Sequence, residues 1–256
     1  MLNLVIAELY RLLNRKYLIV FWGILVLIAL LSTFFVRIPF NQWLSISMPA
    51  LLVPVFLWPI ITDVVAGEEF KENTISNTAS FGISKIKFFL SKVVVSAVLV
   101  IITVFVTVFT FTFSAWLLSP NGVVKDGITL SNYIQTVLAI IPLYFATITI
   151  CTLLTFTIQR QSLATFVYIG LFSVNPLAVL MGASDYIPGK KYFITTQIFD
   201  LLGSPKMVSL KTSAITMNTL GGSASDNKTL LFAVGVGLLY LLVFSLIGAL
   251  ANRKWN

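Results

Sequence analysis

The sequence predicts an all-α, polytopic membrane protein with six transmembrane helices forming a single transmembrane domain over residues 1–256. Three observations predict it. Of 256 residues, 58% are hydrophobic and only 10% charged, where an ordinary soluble domain carries roughly 25% charged residues. Six apolar stretches approach or exceed the ~20 residues that a helix needs to span hydrocarbon. The charges sit in short segments between those stretches. A water-soluble fold of this size would need a polar surface that this composition cannot supply. Lipid is the solvent that fits.

Taken in order, the chain opens with Leu2–Lys16, which mixes Leu4, Val5, Leu9, Leu12 and Leu13 with Glu8, Arg11 and Arg15. That pattern suits a helix lying in the membrane interface with its charged face toward water. The first apolar run follows at Leu18–Val36. Arg15 and Lys16 precede it, but it has no small-residue cleavage site and exceeds a typical signal-peptide core. It reads as a retained signal anchor.

The second run, Leu44–Val65, carries Pro49, Pro54 and Pro59. Each proline removes a backbone donor, so this span is expected to kink or break. The remaining runs are Val93–Leu118, Tyr133–Ile158, Ser162–Met181 and Leu230–Leu250. The third and fourth runs are long enough to tilt or to project beyond the bilayer. Residues 182–229 read as one long outer loop, with a basic, aromatic cluster from Tyr186 to Phe193 and a polar tract over Ser209–Asn227.

Six spans put both termini on one side. Assigning the loops in turn places ten Lys and Arg on the side of the termini and seven opposite, five of those seven in the loop 182–229. Long loops weigh less in the positive-inside rule, so both termini are expected in the cytoplasm of a cell membrane. The net charge of +8 belongs to these topology signals facing anionic headgroups. No basic stripe interleaved with aromatics is present, so nucleic acid is not an expected partner.

Several chemistries are excluded by residue type. The chain has no histidine, which removes histidine-dependent zinc proteases, Ser-His-Asp hydrolases and haem held by histidine. The single cysteine, Cys151, lies in an apolar run and reads as a small buried side chain. No G-x-x-x-x-G-K-[ST] phosphate loop occurs, so the chain is not expected to hydrolyse ATP. Asp63 is the only acid within an apolar run, near the end of the second span. An ion-coupled carrier usually carries ionisable groups or broken helices near the midplane.

The segment between the second and third spans, residues 67–92, is the most informative. Glu68 and Glu72 stand four apart, on one helical face. Asn73 or Thr74 can cap a short helix, Phe81-Gly82 can end it, and Ser84 can cap the next one. The expected product is a short helix across the membrane surface, with acids before it and lysines after.

The run Glu69-x-x-x-Asn73-Thr74, then Phe81-Gly82-Ile83-Ser84-Lys85 and Ser91-Lys92, resembles permeases of the type-2 ABC exporter class. There an acid, a Gly-Thr or Asn-Thr pair, an Ile-Ser-Arg-like triplet and a later Lys mark the coupling helix. Here Asn73 stands for the commoner Gly and Lys85 for the commoner Arg. Size and layout resemble the small permeases of Gram-positive bacteria that expel antimicrobial peptides, including the lantibiotic-immunity type.

The resemblance implies a bacterial permease subunit that binds no cofactor itself. It would work with a second permease, identical or related, and with two copies of an ATP-binding subunit that carry ATP and Mg. Glu68, Glu69, Glu72, Asn73, Thr74, Gly82, Ser84, Lys85 and Lys92 would form the coupling segment. The three glutamates would meet basic residues of the ATPase or of the N-terminal helix. Pro54, Phe56, Trp58 and Pro59 would line a path for an amphipathic peptide, against core or lipid packing as the alternative. Other classes remain: a membrane sensor or anchor, an ion-coupled secondary transporter, and an intramembrane protease. Glu68-Glu69 is similar to the paired glutamates of prenyl-protein-processing proteases. That family has a basic residue where this chain has Asn73, and it also requires histidines.

Overall fold

A computed structural model describes residues 2–35, 38–71, 84–118, 128–180, 189–202 and 227–251, and all are helix or short connections, with no strand among them. The helices are α1 (Leu2–Leu13), α2 (Lys16–Phe35), α3 (Phe40–Ala50), α4 (Val53–Thr62) and the one-turn α5 (Glu68–Lys71). They continue with α6 (Lys85–Leu118), α7 (Leu130–Ile158), α8 (Gln161–Leu180), α9 (Ile194–Leu202) and α10 (Asn227–Ala251). Four of them, α2, α6, α7 and α10, are long and apolar enough to cross a membrane. The second and fifth expected spans fall on shorter apolar helices, Val53–Gly67 and Gln161–Ser173, which are not among the four long enough to cross. The architecture is compatible with a multi-pass membrane protein.

The second apolar run is broken as its prolines predict. Helix α3 ends at Ala50, a turn follows at Leu51-Leu52, and α4 begins with Pro54 inside its first turn. Side chains from neighbouring helices take up the freed carbonyls. Pro59 cannot supply the N–H that Val55 O would receive in a regular helix, and Tyr168 Oη donates to that oxygen at 2.9 Å. Tyr144 Oη donates to Leu51 O at the break. After Thr62 the helix widens into a π turn, Asp63–Gly67. Lipid offers no hydrogen bonds, so a broken span survives only where protein groups replace them.

Two pairs of hydrogen bonds fix helix directions. Trp22 Nε1 donates to Thr103 Oγ1 at 3.1 Å, and Thr33 Oγ1 to Ser114 Oγ at 2.9 Å. Both partners advance together, so α2 and α6 run parallel. Trp58 Nε1 donates to Thr147 Oγ1 at 2.9 Å, and Thr62 Oγ1 lies 3.3 Å from Cys151 Sγ, so α4 and α7 are parallel too. Helix α7 is the axle of the core, with Tyr133, Ile140, Leu143, Tyr144 and Ile148 buried. Helix α10 lies against it through Gly237, where a Cβ would stand 2.7 Å from the Pro142 carbonyl carbon. Small residues at such crossings let helix backbones approach.

Two expectations need correction. Helix α1 is a separate helix, broken from α2 at Asn14-Arg15, but its charged face is not all turned to water. Glu8 is 13% exposed and points toward α6, because a buried lysine there needs a partner. The expected outer loop 182–229 contains α9, whose Ile194, Ile198, Leu201 and Leu202 join the core. Its apolar stripe is only nine residues long, too short to stand out from the polar sequence around it. Residues 72–83, and with them Glu72, Asn73, Thr74 and Gly82, lie outside the described residues.

Candidate functional site

The densest polar arrangement lies where α1, the π turn with α5, and the start of α6 converge. Lys92, on the third turn of α6, is fully buried. A lysine is almost never buried without a partner, because its charge loses water. Its ammonium lies 2.6 Å from Glu69 Oε1 and 3.0 Å from Glu8 Oε2. It also donates to Val65 O, in the π turn, at 3.0 Å. Three oxygens thus meet the three ammonium donors.

Arg11 completes the arrangement. Its guanidinium is 2.7 Å from Glu8 Oε2, one helical turn back, and 3.0 Å from Glu69 Oε1. The result is a closed ring of alternating charge: Glu8, Arg11, Glu69, Lys92 and back to Glu8. Two acids balance two bases, so no net charge is buried. Arg11 is the most exposed member, with 42% of its side chain accessible, against 12% for Glu69. The ring therefore opens to solvent on the α1 side and closes toward the bundle.

Apolar packing holds the ring from below. Phe156 of α7 sits edge-on to Phe70 of α5 and Phe89 of α6, with ring centroids 5.1 Å and 5.2 Å apart. Phe88 packs on Phe156 as well, and its own ring lies 5.0 Å from the Lys92 ammonium. Gly248 of α10 gives Phe89 its room, since a Cβ there would strike the ring. Helix α5 is thereby tied to α1, α6 and α7 at once.

The remaining expected site residues fall as follows. Glu69 contacts Arg11 of the N-terminal helix, one of the two kinds of basic partner the sequence allowed. Glu68 lies at the start of α5. Ser84 caps α6, its Oγ accepting from Lys87 N at 3.4 Å, and Lys85 is the first residue of that helix. Lys92, expected as part of the coupling segment 67–92, is the innermost member of the ring. Phe88, Phe89, Val93 and Val95 on α6 are all buried beside it.

The expected path residues divide. Pro54 and Trp58 are buried, and Trp58 meets Tyr144 edge-on at 5.5 Å, so they are core. Phe56 is half-buried against that core. Pro59 borders an open cavity, with Asp63 and Gln161. Among the described residues, no group of three His, Cys, Asp or Glu could hold a metal ion. Comparison with protein-family models and with curated proteins returns no match.

Proposed function

We propose that this chain is the permease subunit of an ATP-driven ABC exporter. It would cross a bacterial cell membrane six times, with both termini cytoplasmic, and carry an amphipathic peptide outward. Two ATP-binding subunits, holding ATP and Mg, would grip the segment around Thr74–Ser84, and a second permease would complete the pathway.

The observation that carries this reading is the charge ring at the foot of that segment. Glu69 stands just before residues 72–83 and Lys92 just after, and the two are joined at 2.6 Å. A push on the intervening segment enters the bundle through α5 and α6 together. The ring passes it to α1, and the Phe156 cluster passes it to α7. A charged, low-dielectric lock of this kind resists separation and transmits displacement as a unit.

The test is purification of the tagged chain from its native membrane, with mass spectrometry and an ATPase assay. The expected result is a co-purified ATP-binding subunit, lost when residues 74–84 are scrambled. In the assembled complex, Glu69→Lys should leave ATP hydrolysis running while transport falls. Recovery of a folded chain alone, without ATPase, would overturn the reading in favour of a sensor or anchor.

A second reading, an ion-coupled carrier, has one observation in its favour: Lys92 is a buried titratable group inside a long apolar helix. Transport abolished by a protonophore at constant ATP would select it.

A further inference from the structure

A groove of about 700 Å3 runs along α10, with Tyr192, just before α9, at one end. We propose that it binds an anionic phospholipid, one acyl chain lying in the groove and the head-group phosphate held by Lys191 and Lys228.

The shape of the groove follows from two neighbouring rows of α10 side chains, each spaced by four residues. One row has Leu231, Gly235 and Leu239, and the other has Phe232, Tyr240 and Phe244. Residues four apart lie one above the other on a helix, so the rows run side by side along its axis. Gly235 opens a notch in the first row, since no atom lies within 4 Å of where its Cβ would be. The second row supplies an aromatic wall. Tyr240 stacks on Phe244 with centroids 5.8 Å apart, and Tyr192 meets Phe232 at 6.1 Å. From Leu231 to Phe244 the groove extends ~20 Å at 1.5 Å per residue, enough to cover the ~15 Å of hydrocarbon in one leaflet. Leu231 and Leu239 are 73% and 60% exposed, so the groove is open to its surroundings. Its lining contains no charged residue. An apolar channel of leaflet depth, open along its length to lipid, takes an acyl chain.

The head-group assignment comes from the charges at the Tyr192 end. Lys228 continues the row of Phe232 one turn toward the start of α10, and helical side chains lean toward the N-terminus. Its ammonium therefore stands beyond the apolar floor, at the level of the head groups. Lys191 brings a second ammonium, 5.2 Å from the centre of the Tyr192 ring that walls the groove. Both lysines are exposed, and among the described residues neither forms an ion pair with a carboxylate. Residues 182–229 carry five lysines against three aspartates, so the charge on this side is net basic. The charge ring lies at the other end of α10, where Gly248 meets Phe89, and its acids do not reach this end. Lysine stems can lie along apolar surface while their ammonium groups meet phosphate, and each such lysine adds attraction for an anionic lipid. A zwitterionic head brings its own cation to the same place, where the two lysines repel it.

The test uses the full chain in phosphatidylcholine nanodiscs holding a trace of probe lipid with a diazirine in one acyl chain. The probe head is either phosphatidylglycerol or phosphatidylcholine, and labelled peptides are mapped by mass spectrometry. At equal mole fraction the phosphatidylglycerol probe should label residues 231–244 roughly tenfold more than the phosphatidylcholine probe. Lys191→Gln combined with Lys228→Gln should bring that ratio close to one without lowering labelling by the phosphatidylcholine probe. Gly235→Leu fills the notch and should cut labelling by both probes. Thermal unfolding identifies a variant that fails to fold, and the probe ratio in the unaltered chain decides independently of the variants. Equal labelling by the two probes would overturn the proposal and leave α10 with ordinary boundary lipid. A ratio retained in the double lysine variant would overturn it too, since the lysines would then not select the head. Binding is read without ATP or a partner subunit, so its failure and that of the exporter reading are separable.

Discussion

Lys92 shows how much a single side chain can decide. Its ammonium is surrounded by Glu8, Glu69 and Val65 O, with no access to solvent. Removing one member of a buried ion network leaves charge without compensation, at a cost of about 3–5 kcal/mol. Lys92→Met is therefore expected to lower stability by that amount in chemical or thermal unfolding. Adding Glu69→Gln to it should recover most of the loss, because Glu8 and Arg11 then still pair with each other. A double variant no more stable than the single one would show that Lys92 acts through packing alone. Tyr168 presents the neutral counterpart. Tyr168→Phe leaves Val55 O facing a proline that cannot donate, and should cost about 1–3 kcal/mol.

At the scale of elements, the contact of α10 with α7 depends on where its glycines fall. Gly237 stands against the backbone of Pro142 and Leu143, while Gly235 has no atom within 4 Å of where a Cβ would be. Gly237→Ala should therefore destabilise by about 1–3 kcal/mol, the usual penalty for overpacking. Gly235→Ala should stabilise by about 0.5–1 kcal/mol, since alanine loses less entropy in a helix. Unfolding of the two variants side by side checks this, and equal effects would mean that the close approach of α10 is not maintained. The same scale explains α4. Its break is tolerated because Tyr144 and Tyr168 arrive from α7 and α8 to take the freed carbonyls.

Across the whole molecule, the ring joins three parts of the chain, α1, α5 and α6, in a fixed order of charge. A simple pair could be reversed without loss, but a ring cannot. Exchanging Glu69→Lys with Lys92→Glu keeps that pair opposite in sign, yet sets like charges beside both Arg11 and Glu8. The exchanged variant keeps two like-charge contacts, as many as either single reversal, so it should fall well short of the unaltered chain's stability, measured by unfolding in the same detergent or lipid. Restored stability would reduce the ring to the one contact between α5 and α6. The outer faces of α2 and α10 carry the opposite chemistry. Leu27, Ile28, Leu239, Leu242 and Leu246 are all exposed, which fits helices surrounded by lipid.

The sequence by itself determined the helical class, the long apolar helices, the break in the second apolar run and the cap at Ser84. Those features follow from local rules: run length, the missing N–H of proline, and a hydroxyl placed before a helix start. It also marked Glu69 and Lys92 as residues of one segment, though not as each other's partners. Only the tertiary structure decided that Lys92 turns inward, that Glu8 and Arg11 from a distant helix close the ring, and that α9 is drawn into the core. It alone brought Asp63 and Gln161 to one cavity, although they are far apart in the chain. The physical reason is that burial and charge pairing depend on which helix faces meet. In a chain this apolar, nearly every face looks alike until the helices are packed, and the few polar groups then choose their neighbours.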